Sequence, residues 1–280
     1  MAWPEDGTSD VFLDVDVVAT CDPCDCVSKF STKFGRQYLY DPDDESSTGY
    51  CCPLADAGAQ YLCPSDEKER DRLDMQHHVF GLLFQKRLYF SPLPETEDLK
   101  ILDVCTGTGI WAIDVGDAHP RWTVKGVDLS PQQPESVPPN VYFELDDVNF
   151  QAELVRQAFD ALRPGGWLES QEIASLVECD DNTLERNGTL TYWVRLVAEA
   201  GLKVGRPRDV ARSMVQWYRD VGFVDVKIME FKVPIGSWAK DPALKEMGAY
   251  WRENMVEAVE SLSLRLFNEG LGWTYEELQV

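Results

Sequence analysis

Basic residues are scarce in this chain: 26 Lys and Arg stand against 49 Asp and Glu, a formal net charge of −23 over 280 residues. Direct nucleic-acid binding draws on clustered Lys and Arg and is not expected, and an anionic membrane face would repel such a surface. Long apolar runs are missing as well. None approaches the ~20 residues that span a bilayer, and no basic-then-apolar leader opens the chain. The expectation is a soluble protein of the cytoplasm or nucleus with no membrane partner. Cysteine is too thin, at 8 residues, for a disulfide scaffold. Six of the eight come early, at Cys21, Cys24, Cys26, Cys51, Cys52 and Cys63. Cys21-x-x-Cys24 has zinc-ligand spacing, but no second pair of matched spacing follows it, so reduced thiols are expected and no metal.

What is present begins with 44% hydrophobic residues, enough for the core of one α/β domain with an extension. The chain is organised around residues 100 to 114. The apolar Ile101, Leu102 and Val104 predict a strand, Thr106-Gly107-Thr108-Gly109 a turn, and Ile110 onward a helix. In that arrangement backbone N–H groups at a helix start face a ligand, and glycine lets the backbone approach it. Asp103 puts a carboxylate at the strand's C-terminal end, where it would repel a pyrophosphate and attract an ammonium or sulfonium. Asp128 ends the next predicted strand, where an acid can take both ribose hydroxyls. Together they read as a pocket for a nucleoside bearing a cationic group, of which S-adenosylmethionine is the common example.

Residues 1 to 65 are rich in Asp, Ser, Pro and Gly and read as a largely disordered acidic extension, with a short alternating stretch at Val11–Val18. A helix is predicted from Asp66 to about Leu88, with Leu73, His77, Phe80 and Phe84 on one face. The core from 100 to 233 then reads as strands at 100–105, 123–128 and 141–144, a helix at 151–162, an Arg163-Pro164-Gly165-Gly166 turn and a strand at 167–173. Helices at 191–200 and 209–221 and a long strand at 223–233 complete it. A last helix over 241–268 lies in a C-terminal cap of residues 241–280, serving as a lid on the substrate side or as core.

Several segments, in order, resemble the fungal LaeA-like methyltransferases, which are enzymes and regulators associated with secondary metabolism. They are RLDMQHHVF (72–80), SPLPE (91–95), TGTGIWAID (106–114), GVDLSPQQPESVPPNVYFELDD (126–147), AFDALRPGGWLESQE (158–172) and KVPIGSWAKDP (232–242). The resemblance spans roughly residues 66 to 275. It implies an α/β fold, the Rossmann-like three-layer sandwich of class I methyltransferases, with S-adenosylmethionine as cofactor. Asp103, Thr106, Gly107, Thr108, Gly109, Asp128 and Leu129 would line the cofactor site, and Asp146 or Asp147 would accept from the adenine amine. The acceptor would be a small molecule or a protein, and a protein partner is also implied. On the resemblance His77 or His78 would touch ligand or substrate; these two, and Glu172 after them, are the candidates for an optional base, and no catalytic residue is assigned.

The chain departs from the family at Cys105, where a glycine is usual, and at Asn149-Phe150-Gln151, where a segment carrying a whole strand is missing. It also stops at Val280, before the family's last antiparallel strand. The resemblance therefore implies an incomplete sheet, with lower stability and weaker cofactor binding than full-length relatives. The alternative is a non-catalytic protein that keeps the outline of the fold and acts through protein contacts. A nicotinamide oxidoreductase also fits Gly107-x-Gly109-x-x-Ala112 followed by Asp128, but Asp103 argues against it, because a carboxylate there opposes a diphosphate.

Overall fold

The computed structural model describes residues 30–39, 62–146, 152–174, 177–180, 184–185, 188–208 and 210–279. Val11–Val18, Cys21 and Cys24, Asp147 and the join at 149–151 lie outside them.

Part of the stretch expected to be disordered is a hairpin. Strands β1 (Phe30–Lys33) and β2 (Arg36–Leu39) pair antiparallel across Phe34 and Gly35, both with positive φ (56° and 75°). An isolated two-stranded hairpin is marginal in water, and this one is ordered by what it touches. Arg36 reaches both carboxylate oxygens of Asp66, at 2.5 and 2.6 Å, and Ser65 N–H donates to Gln37 C=O at 2.7 Å. Tyr38 is fully buried, its ring 5.6 Å from the Arg265 guanidinium. These partners are distant in sequence, so local composition gave no sign of them.

Asp66 also caps α1 (Glu67–Leu83), accepting from Glu69 N–H at 3.0 Å. The helix stops short of Leu88 because Gln85 and Lys86 turn left-handed, and Lys86 N–H closes onto Gly81 C=O at 2.7 Å. The core follows as β3 (Lys100–Val104), α2 (Ile110–Ala118), β4 (Thr123–Asp128) and β5 (Val141–Leu145). The three strands are parallel in the order β3-β4-β5. Helix α2 lies on this sheet closely enough that a Cβ on Gly116 would stand 2.2 Å from Val141 Cγ2. Ala112, Val115, Trp122, Val124, Val141 and Leu99 form the buried cluster between them. Asn140 Nδ2 donates to the carbonyls of Gly116, His119 and Trp122 and so ties off the C-terminal end of α2.

Helices α3 (Ala152–Ala161), α4 (Thr189–Lys203) and α5 (Ala211–Val221) follow, then the long α6 (Pro242–Leu271) and the short α7 (Tyr275–Leu278). Helix α6 is core rather than lid along most of its length. Met247 and Trp251 pack on Val79 of α1, and Leu266 and Phe267 pack on Val197 and Ala200 of α4.

Two expected strands are not strands. Residues 167–173 and 223–233 run without ladder pairing. The first is held by side chains instead: Glu169 accepts from Phe90 N–H, Ser91 N–H and Ser91 O–H, Gln171 Nε2 donates to Leu88 C=O, and Ser170 bonds to the Tyr218 hydroxyl. The second leaves Val224, Ile228, Met229 and Phe231 exposed. An apolar pattern does not by itself make a strand, since neither segment is laid along the edge that β3 leaves open among the described residues. Among the described residues the α/β sheet is incomplete, with no strand on the outer side of β3.

Candidate functional site

The C-terminal tips of three parallel strands meet around one glycine turn, the place where open α/β sheets bind ligands. Strand β3 delivers Asp103, and the chain then turns through Cys105, Gly107 and Gly109, all left-handed (φ 61°, 58° and 80°). Cys105 is exposed and holds a conformation that glycine takes at lower cost. Register places Val104 beside Val127 and Asp128 beside Leu145, so the ends of β3, β4 and β5 are level.

The turn is folded back onto the carboxylates. Thr106 Oγ1 donates to Asp103 at 2.5 Å, Gly107 N–H to Asp128 Oδ2 at 2.8 Å, and Ser130 N–H to Asp128 Oδ1 at 2.9 Å. Burial pushes the Asp103 carboxyl up to about 7; the Thr106 bond pulls it down and the charge of Asp128 pushes it up again. Burial also raises Asp128, against the backbone N–H bonds of Ser130, Gly107 and Leu129. Two desolvated carboxylates beside each other are a poor seat for a phosphate and a good one for a cation.

The two glycines do different work. A Cβ on Gly109 would stand 2.4 Å from Phe143 Cζ, and one on Gly126 2.5 Å from Phe143 Cδ1, so both yield to the Phe143 ring packed between them. Gly107 has only Leu73 Cδ1 nearby, at 3.8 Å. The N–H of Gly109 bonds to Thr106 C=O, and that of Thr106 to Val127 C=O. Close approach of ligand to backbone was the reason expected for Gly107 and Gly109; at Gly109 the Phe143 ring takes that space, and at Gly107 the space is open.

Of the other expected residues, Thr108 is buried and Leu129 half-buried. Asp146 is half-buried and its N–H bonds to Asp128 C=O at 3.0 Å, which sets the β5 tip against the β4 tip. His77 Nε2 lies 2.8 Å from Asp114 Oδ2, and His78 turns outward, edge-on to Tyr250. Glu172 keeps solvent contact while crowding by protein raises its carboxyl. Sequence reasoning missed Asp74, which accepts from Thr108 Oγ1 at 2.6 Å, and Gln133, whose amide donates to Gly107 C=O at 2.6 Å. It also missed Gln132, buried with Nε2 on Ser130 Oγ and its Oε1 without a hydrogen-bond partner. Asp74 and the two glutamines lie inside the matched motifs, but only the folded turn reveals what they hold. Among the described residues no group of three His, Cys, Asp or Glu could hold a metal ion.

Comparison with known proteins agrees with the geometry. A family described as a methyltransferase domain matches residues 75–228. Methyltransferase pytC of Aspergillus terreus is 40% identical over 277 residues, covering 91% of this chain and 81% of that protein. The secondary metabolism regulator LAE1 of Cochliobolus heterostrophus is 31% identical over 240 residues, covering 76% and 78%. The probable methyltransferase tdiE of Emericella nidulans is 30% identical over 233 residues, covering 76% and 73%. A parallel half-sheet with its glycine turn, two carboxylates at the strand tips, and relatives matched along most of their length lead to one conclusion: this chain belongs to the fungal LaeA-like class I methyltransferases.

Proposed function

We propose that the chain moves a methyl group from S-adenosylmethionine to an acceptor in secondary metabolism, with the donor held at the tips of β3, β4 and β5. The observation that carries this is the pairing of Asp103 and Asp128 around Gly107. The donor set fits. Asp103, crowded by a second carboxylate, gains from a nearby ammonium or sulfonium, which offsets the repulsion. The Asp128 carboxylate accepts the backbone N–H groups of Gly107, Ser130 and Leu129, and of its roughly four lone-pair positions one stays open for a ribose hydroxyl.

When bound, the donor supplies an electrophilic methyl carbon. The chain's own contribution is to bind, orient and exclude water, since in-line transfer from a sulfonium does not require a dedicated base. The acceptor is a small molecule or a protein, met in the cytoplasm or nucleus.

Calorimetric titration with S-adenosylmethionine and S-adenosylhomocysteine tests the reading. The wild-type chain is expected to bind both and not NAD. Asp128→Ala is expected to weaken binding at least tenfold, because two charge-assisted bonds of about 1.5–3 kcal/mol each are lost. Equal affinity in wild type and variant would remove Asp128 from the site, and stabilisation by NAD alone would replace the donor.

A further inference from the structure

The contacts that join α1 to the glycine turn carry an inference that rests on the donor reading and extends it. Leu73, Asp74 and His77 share one side of α1. Leu73 Cδ1 is the atom that a Cβ added at Gly107 would meet, at 3.8 Å, Asp74 Oδ1 accepts from Thr108 Oγ1 at 2.6 Å, and His77 Nε2 meets Asp114 Oδ2 at 2.8 Å. The three contacts fall on the turn and the first half of α2. Elsewhere around its girth α1 is fastened to α6. Arg72 makes two bonds to Glu69, and Asn254 of α6 both accepts from the Arg72 guanidinium and donates to Arg72 C=O at 2.7 Å. Glu69, Arg72 and Asn254 are all buried. Helix α1 is therefore a fixed strut, and Asp74 is where the strut grips the turn.

What the grip controls follows from the next bond along. Thr108 is the neighbour of Gly107, whose N–H holds Asp128 Oδ2 at 2.8 Å. We propose that Asp74 is a positioning residue for the methyl donor: through Thr108 Oγ1 it sets the place of the glycine turn, and so the orientation of the Asp128 carboxylate that receives the ribose. The His77–Asp114 contact holds the same helix pair farther along and keeps α1 from rolling about that grip. A carboxylate suits the task, because an ionised acceptor holds a hydroxyl more tightly than a neutral one.

The test is a cycle on the full chain with Asp74→Ala, Asp74→Asn, Thr108→Val and the double variant Asp74→Ala/Thr108→Val. The readouts are calorimetric affinity for S-adenosylhomocysteine and hydrogen exchange of the amides of residues 107–112 without ligand. Asp74→Ala and Thr108→Val are each expected to weaken affinity about tenfold and to speed exchange in that window. Asp74→Asn, whose amide oxygen can accept the same bond, is expected to recover most of both. The double variant is expected to be no worse than either single one, because both remove one interaction. Additive losses, no rescue by Asn, or unchanged affinity in Asp74→Ala would overturn the proposal. Should the wild-type chain bind no S-adenosylhomocysteine, the donor reading fails by itself. Exchange at 107–112 then decides the grip alone, and wild-type rates in Asp74→Ala overturn it.

Discussion

Asp103 shows how a single residue can be placed against its own solvation. A free aspartate titrates near 3.9, and burial in the fold raises this one to about 7. Between those values the folded chain holds a proton that the unfolded chain has released, so the folded state loses stability as pH rises from about 4 to 7, by up to about 1.4 kcal/mol per unit. A cation bound beside the carboxylate reverses the preference, because it favours the ionised form. Donor affinity is therefore expected to rise from pH 6 to pH 8, with a proton released on binding at the lower pH. Titrations in buffers of different ionisation enthalpy measure that proton. Asp103→Asn is expected to flatten both the affinity and the stability profiles across this range. A wild-type affinity indifferent to pH would show that Asp103 does not face the cation.

At the level of elements, the junction of α2, β4 and β5 is built around the Phe143 ring, which occupies the space that side chains at Gly109 and Gly126 would need. Gly126→Ala is expected to cost about 1–3 kcal/mol, the usual range for forcing carbon into a packed core. Phe143→Ala alone costs about 3–5 kcal/mol through the cavity it leaves. Combining the two should cost less than their sum, because the added methyl no longer meets a ring and, of its nearest atoms, is left only with Thr106 Oγ1, at 2.8 Å. Urea unfolding of the four proteins measures this, and strict additivity would mean that the ring and the glycine do not share the space. Both glycines were visible in the sequence, but the reason for Gly109 was not. A glycine after a strand announces a close approach, and only the packed sheet reveals that the approaching group is an aromatic ring from β5.

For the whole molecule, the incomplete sheet is the feature with the largest energetic consequence. Leu99 C=O accepts from Thr123 N–H, so alternate residues of β3 turn toward β4 while Leu102 and Val104 turn their backbone groups to the other side. Among the described residues no strand takes them up. A central strand buries about four large apolar groups at about 2 kcal/mol each, roughly 8 kcal/mol, against a usual domain margin of about 5–15 kcal/mol. Inserting a relative's segment at residues 149–151 is expected to raise the melting temperature by well over 5 °C. It should also tighten donor binding and cover part of the apolar surface at Val224, Ile228, Met229 and Phe231. Melting and affinity no higher than those of the present chain would show that the half-sheet suffices.

The sequence by itself determined the parallel half-sheet, its glycine turn and both carboxylates. Those features are local: a run of apolar residues, a turn that only small residues allow, and an acid at the strand's end lie within a few positions of each other. It also determined that α1, α2 and α6 are helices, although α1 begins one residue later than expected, capped by Asp66 where the sequence pattern pointed to Ser65. Only the tertiary structure decided that 167–173 and 223–233 would remain unpaired, because a side-chain pattern does not say which contacts will claim a segment: Glu169 and Gln171 are taken by residues 88–91, although among the described residues no strand lies on the outer side of β3. Only there did residues 30–39 acquire order, through Arg36 meeting Asp66 from thirty positions away. The grip of Asp74 on Thr108 is of the same kind: a charge on a helix and a hydroxyl in a turn, 34 residues apart, become one contact when α1 is laid across the sheet.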